Sequence, residues 1–204
     1  MVPMSTRPSL LLAAFIPELA GMDAHPPTGW RVGCTGVGVV TAAVTTARLL
    51  TALTPSRVLF VGTCGAYDQR LAVGDLLRAS DALAISLDVL EGRAYRPESE
   101  THRWPATLAS ALPIPFPAFS VAVPPGITRT LEGAQRLSTF AAAEHLELTG
   151  VFAACHEAGI PCGAVLAVAN RVGPEAHGQW KANHERVSRA LMAALRNHGV
   201  FEAP

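Results

Sequence analysis

Short apolar runs alternate with amphipathic stretches along this chain, and that alternation predicts its architecture. Ser9–Phe15, Trp30–Thr35, Arg57–Gly62, Leu76–Ile85, Ala118–Val123 and Gly163–Ala169 are rich in Val, Leu and Ala and read as strands. Several are apolar at nearly every position, not at alternate ones, as expected of strands covered on both faces. Between them the apolar residues recur at helical spacing. Val40, Val44, Ala47 and Leu50 form one stripe, with Pro55 as a stop. Leu148, Val151 and Cys155 form a second, ended by Gly159 and Pro161. Trp180, His184, Val187, Leu191 and Leu195 form a third, ended by Gly199. The segment Glu91–Pro117 breaks the rhythm with Arg93, Arg96, Glu98, Glu100, His102 and five prolines. It reads as a surface excursion with room for short structure, placed to rim a site. No repeat or linker interrupts the pattern, so residues 1–204 are expected to form a single α/β domain.

Composition narrows the classes of function. The 204 residues carry 16 basic and 16 acidic side chains, and half of them are hydrophobic. A mean hydropathy of +0.29 leaves ample apolar surface to offset the entropy of ordering. Zero net charge offers no basic face to nucleic acid, and Lys181 is the only lysine. No uncharged apolar run approaches about 18 residues, so no membrane span is expected. Arg7 followed by Leu10–Ile16 has the outline of an export signal, but the run is short and Pro17-Glu18 closes it. A buried first strand in a cytoplasmic protein is the expected outcome. Cys34, Cys64, Cys155 and Cys162 form no CxxC pair, and three lie in apolar runs. They read as buried free thiols, not as disulfides or zinc ligands, and neither metal nor cofactor is expected.

Three segments could carry chemistry. Thr35-Gly36-Val37-Gly38-Val39-Val40 joins a strand to a helix, where glycines allow a tight turn and bring N–H groups to a ligand oxygen. A dinucleotide site would need an acidic residue about twenty positions on, and Pro55–Gly62 offers none. A plain strand-to-helix turn stays open. Gly62-Thr63-Cys64-Gly65, followed by Val73-Gly74-Asp75, lies at a strand's carboxyl end, where open α/β sheets hold ligands, although a structural turn reads equally well. Glu144-His145-Leu146-Glu147 enters a helix, and Glu147 alone could be a first-turn carboxylate favoured by the helix dipole.

Together, in order and at nearly the same spacing, these segments resemble the nucleoside phosphorylase/nucleosidase superfamily, which includes methylthioadenosine/adenosylhomocysteine nucleosidase and futalosine hydrolase. The resemblance runs from Ser9 to about His198. Its [ST]-G-[IV]-G turn matches Thr35–Gly38, and its G-x-x-G…V-G-D stretch matches Gly62–Asp75. Its M-E-x-x-[AG] and C-H-x-x-x-[IV]-P patterns match Leu146–Gly150 and Cys155–Pro161. The resemblance implies a central mixed sheet flanked by helices on both faces, and it implies roles. Glu18 takes the place of the carboxylate that activates water, and Glu147 that of the glutamate binding the ribose hydroxyls. Thr35, Gly36, Gly38, Thr63, Cys64, Gly65 and Leu146 take substrate-binding positions. Asn170 stands where adenine-cleaving members keep an aspartate that protonates N7, and the segment Ala169–Gly173 followed by Trp180 is similar to futalosine hydrolases.

That departure is informative. An amide cannot donate an acidic proton, but it can accept from N7–H while donating to a carbonyl O6, which suits a 6-oxopurine. Leu146 replaces the family methionine with similar bulk. His145 replaces an acidic residue and is expected at the surface or rim. Phosphorylases of the superfamily keep an arginine where this chain has Phe60, and a Gly-Asp-Pro loop where it reads Ala14-Phe15-Ile16-Pro17. A phenyl ring cannot hold a dianion. The expected activity is therefore hydrolysis of a purine nucleoside by a homodimer or larger homo-oligomer. A phosphorylase and a catalytically reduced nucleoside-binding protein remain the alternatives.

Overall fold

The computed structural model describes residues 7–108 and 112–202. Its strands are β1 (Ser9–Ala13), β2 (Trp30–Cys34), β3 (Arg57–Ala66), β4 (Leu76–Ala84), β5 (Arg103–Pro105), β6 (Ala118–Val123), β7 (Ala143–Glu144) and β8 (Cys162–Arg171). Its helices are α1 (Val39–Leu53), α2 (Leu87–Leu90), α3 (Leu131–Ser138), α4 (Leu148–Glu157) and α5 (Ala176–Asn197), with a 3-10 turn at Ile16–Leu19. The sheet is mixed: β1 pairs in parallel with β2 and β3, and β3 with β8, whereas β4 and β8 are antiparallel. It also curls. β3 pairs with β8, β8 with β4, β4 with β6, β6 with β7 and β7 with β3, so five strands close into a ring. Register shifts at Cys64/Gly65 in β3 and Ala79/Asp81 in β4 supply the bends that closure needs.

Alternate residues of the central strands feed opposite cores. Leu10, Leu12, Val58, Phe60, Leu166 and Val168 pack with residues of α1 and α4. Leu11, Ala13, Leu59, Val61, Val165 and Ala167 pack with Val187, Leu191 and Leu195 of α5. That two-sided burial explains the unbroken apolar runs of β1, β3 and β8. α4 lies tight against α1 at Gly150, where a Cβ would come 2.3 Å from the Val39 carbonyl oxygen. This crossing brings the start of α4 to the start of α1, and with it Glu147 to Gly38.

The excursion contains more than loop. Arg103–Pro105 forms β5 on the edge of β4, and Leu108 and Leu112 are buried against the α5 side of the sheet. Residues 109–111 lie outside the described residues. β3 and β8 each run past the expected ends, to Ala66 and Arg171, and these extensions carry much of the site.

Candidate active site

At the carboxyl ends of β1, β3 and β8, a cavity of about 490 Å³ is lined by Glu18, Thr63, Cys64, Gly65, Leu146, Glu147 and Asn170, together with Phe15, Glu144, His145 and Trp180. Thus seven of the residues expected from sequence converge on one space. Thr35, Gly36 and Gly38, expected at substrate-binding positions, do not line it. The Thr35 hydroxyl donates to the Gly36 carbonyl at 3.0 Å, away from the cavity. Gly36 and Gly38 take positive φ, and the Gly38 N–H donates to Glu147 Oε1 at 2.8 Å. Val37, between the two glycines, reaches the cavity.

Glu18 sits on the 3-10 turn that follows β1, and its side chain is buried. Its Oε1 accepts the Thr63 N–H at 2.8 Å and the Thr63 hydroxyl at 2.7 Å, and its Oε2 accepts the Ala14 N–H at 3.2 Å. Trp180 Nε1–H donates in turn to Thr63 Oγ1 at 3.1 Å. Burial pushes the Glu18 carboxyl up to about 7; the Thr63 hydrogen bonds oppose the rise and the Glu147 charge adds to it. A carboxyl poised there can take a proton near neutrality. Cys64, buried beside it, is held well above its ordinary range by desolvation and is a neutral thiol.

His145 is not a rim residue. It is buried, its ring stands edge-on to Phe60 at 5.2 Å, and its Nδ1 lies 3.1 Å from Glu147 Oε2. The Glu147 N–H also donates to Nδ1, at 3.1 Å. Burial depresses the basicity of the ring, partly offset by the Glu147 charge. The expectation of a surface or rim position failed because β7 lies between β3 and β6, and the His145 N–H continues that pairing to the Ala122 carbonyl inside the sheet.

Asn170 lies opposite Gly65 because the β3–β8 register jumps from Cys64–Val168 to Gly65–Asn170, leaving Ala169 as the extra residue. A Cβ on Gly65 would come 2.9 Å from Asn170 Nδ2 and 2.8 Å from Val172 Cγ2, so only glycine leaves room for the amide. One Nδ2–H donates to the Arg171 carbonyl at 2.9 Å. Among the described residues, no hydrogen bond engages the other N–H or Oδ1.

Glu144 was not singled out as a site residue from the sequence. It accepts the Tyr67 hydroxyl at 2.9 Å and the Thr128 N–H at 3.0 Å. Burial raises its carboxyl above the usual range, against hydrogen bonds from the Thr128 side chain, the Thr128 N–H and the Tyr67 hydroxyl. The available signal was a lone acid closing the run Ala141-Ala142-Ala143; nothing in the sequence marked Tyr67 or Thr128. Among the described residues, no arginine or lysine lines the cavity.

The Phosphorylase superfamily model matches residues 30–198. The chain belongs to that superfamily. Among solved structures, a 5′-methylthioadenosine/S-adenosylhomocysteine nucleosidase from Helicobacter pylori superposes with a TM-score of 0.82 at 18% identity, over 95% of this chain and 98% of that one. Native futalosine hydrolase of the same organism gives 0.82 at 19% identity, over 97% and 99%. A methylthioadenosine/adenosylhomocysteine nucleosidase from Colwellia psychrerythraea in complex with adenine gives 0.82 at 17% identity, over 97% and 96%. At these identities the likeness is one of fold. No curated protein matches the sequence.

Proposed function

We propose that this phosphorylase-superfamily protein is a hydrolytic purine nucleosidase that acts on 6-oxopurine nucleosides of inosine or futalosine type. One observation carries the reading: Glu18, Glu147 and Asn170 converge on a single cavity that holds carboxyl groups and, among the described residues, no guanidinium or ammonium. Such a wall repels phosphate and suits a cationic sugar. Phe60, fully buried against His145, fills the place where the family's phosphorylases carry arginine. The similarity in fold to nucleosidases agrees with this reading.

The chemistry follows from the positions. Cleavage of the C1′–N9 bond leaves an oxocarbenium-like ribosyl group and a base gaining negative charge. Glu147 accepts hydrogen bonds from the ribose hydroxyls and favours the cationic ring electrostatically. Glu18 orients a water at C1′ and takes its proton. Asn170 meets the N7 and O6 edge with its free Oδ1 and N–H, contacts that strengthen as the base departs. Leu146 and Cys64 pack beside the sugar. The protein requires no metal or cofactor for these steps.

Ile127 and Val37, 56% and 62% exposed, rim the cavity, and Val40, Val44 and Leu131 extend the exposed apolar surface. A second copy of the chain covering this rim would complete the pocket. The four cysteines are free, which suits a reducing cytoplasm. The test is incubation with inosine, adenosine, methylthioadenosine and futalosine, with and without phosphate, reading base and sugar products by chromatography. Free ribose without phosphate supports the proposal; strict phosphate dependence with ribose 1-phosphate as product replaces it with a phosphorylase. Light scattering of the purified protein tests the oligomer.

A further inference from the structure

If Asn170 accepts an N7–H, the proton on N7 has to come from another group, because an amide has none to give. The register of the ring supplies a candidate. Gly65 pairs with Asn170 on β8 and with Glu144 on β7, so the two side chains flank the same glycine on the same face. Two strand spacings put their backbones roughly 10 Å apart, and side chains reaching over Gly65 from both sides span most of that gap, so one edge of a bound base can meet both. Both line the cavity.

We propose that Glu144 is the general acid that protonates the departing base; this rests on the nucleosidase reading given above. The hydrogen bonds, from the Thr128 side chain and N–H and from the Tyr67 hydroxyl, favour the carboxylate but leave the acid room for its own proton. Glu144 Oε1 faces the Thr128 N–H and Oε2 the Tyr67 hydroxyl. A protonated carboxyl keeps a lone pair on each oxygen for these donors and has its O–H left to point into the cavity. Burial favours the protonated form, in the direction the role requires. The titratable neighbours are Tyr67 just after β3 and His145 and Glu147 beyond β7, with Glu18, Cys64 and His177 in the same wall. Among the described residues none of the lining groups is a permanent cation.

The step balances. The C1′–N9 bond breaks with its electron pair passing to the base, which takes the Glu144 proton on N7. The water oxygen bonds to C1′ and its proton goes to Glu18. Glu144 ends as the carboxylate and Glu18 as the acid, and solvent returns both to their starting states.

Inosine and 7-methylinosine separate this role from a structural one, because 7-methylhypoxanthine leaves without needing a proton. Glu144→Gln should lower kcat/KM on inosine by a factor of about 10² to 10⁴ and on 7-methylinosine by less than about threefold, since no proton transfer is lost there. Equal losses on both, or none on inosine, overturn the proposal. So does a wild-type protein that cleaves inosine but not 7-methylinosine. Wild type also provides a test that does not depend on the variant folding. Its activity on inosine should fall at high pH, where both Glu18 and Glu144 are ionised, while that on 7-methylinosine should stay level; matching high-pH limbs refute the role. Cleavage of neither nucleoside defeats the nucleosidase reading itself, whereas parallel losses defeat only Glu144.

Discussion

The two ends of the cavity are built by different means. At one end Glu18 and Glu147 are held by main-chain N–H groups of Ala14, Thr63 and Gly38, which belong to the ends of β1 and β3 and the start of α1. Those elements are anchored in the doubly covered centre of the sheet. At the other end Glu144 and Asn170 stand where the ring closes through the two-residue β7, held by the Tyr67 side chain, a loop N–H at Thr128 and the Arg171 carbonyl. On the proposed mechanism, the groups around the reacting carbon are tied to backbone in a rigid core, whereas the two that face the base are tied to the Tyr67 side chain, a loop and the last residue of β8, which substitution can retune without disturbing the core.

The rigid end is the one to break first. Glu18→Gln should leave nucleoside affinity in place and reduce turnover by a factor of roughly 10² to 10⁴, the contribution of a positioned base. Isothermal binding of an inosine analogue alongside turnover measurements checks both halves. Retained turnover removes Glu18 from the mechanism.

The same substitution should stabilise the fold, and the sign can be worked out. The folded carboxyl titrates at about 7, above the ordinary 4.5. Below pH 4.5 both folded and unfolded chains hold the proton, and the group contributes nothing. As pH rises from there toward 7, only the folded state keeps it, so stability falls across that window. Above it the full cost remains, on the order of 3 kcal/mol. Glu18→Gln should therefore raise the urea midpoint at pH 8 and leave it nearly unchanged at pH 4. A variant less stable than wild type at pH 8 would show that the lost hydrogen bonds outweigh desolvation.

The contrast between the two ends also explains what could be read from the sequence. β1, β3 and β8 announce themselves because both faces are buried, and the motifs at their ends carry Glu18, Thr63 and Asn170. Glu147 follows from the helix it opens. β7 has only two residues and no periodicity to detect, so Glu144 and the burial of His145 stayed hidden. α3 was missed for a related reason: Leu131–Ser138 mixes Gly133, Gln135 and Arg136 with few apolar residues, and its Thr130 cap, whose side chain accepts the Gly133 N–H, is a weak signal alone. Ring closure is a pairing between distant segments, and no local pattern encodes it.

The adjustable end should yield a smaller and more selective effect. If the Asn170 amide reads N7–H and O6, wild type prefers hypoxanthine nucleosides over adenine ones by roughly tenfold to a hundredfold, the cost of about 1–3 kcal/mol for a mispaired buried donor. Asn170→Asp should weaken the 6-oxopurine reaction and shift the inosine-to-adenosine ratio of kcat/KM toward adenosine. A ratio that does not move assigns base choice to the backbone around Val123–Thr128.

The smallest effect sharpens the boundary between the two ends. Trp180 belongs to the aromatic wall, stacked on His184 at 4.3 Å and tilted against Phe15 at 6.0 Å. Its indole N–H also polarises the Thr63 hydroxyl that donates to Glu18. Trp180→Phe keeps a ring in the wall and removes only that donor. The Thr63 hydroxyl then donates more weakly, the Glu18 carboxylate is less well stabilised, and its pKa moves further up from about 7. A hydrogen bond once removed from the titrating group is worth a fraction of the usual 0.5–1.5 kcal/mol, so the rise should stay below about one pH unit. With Glu18 as the proposed base, the consequence is confined to the acidic limb. Activity at pH 6 should drop about two- to fivefold, in line with that shift, and activity at pH 9 should match wild type. Loss of equal size at both pH values would mean that Trp180 acts through packing or substrate contact, and that the hydroxyl relay from α5 to Glu18 has no part in setting the base.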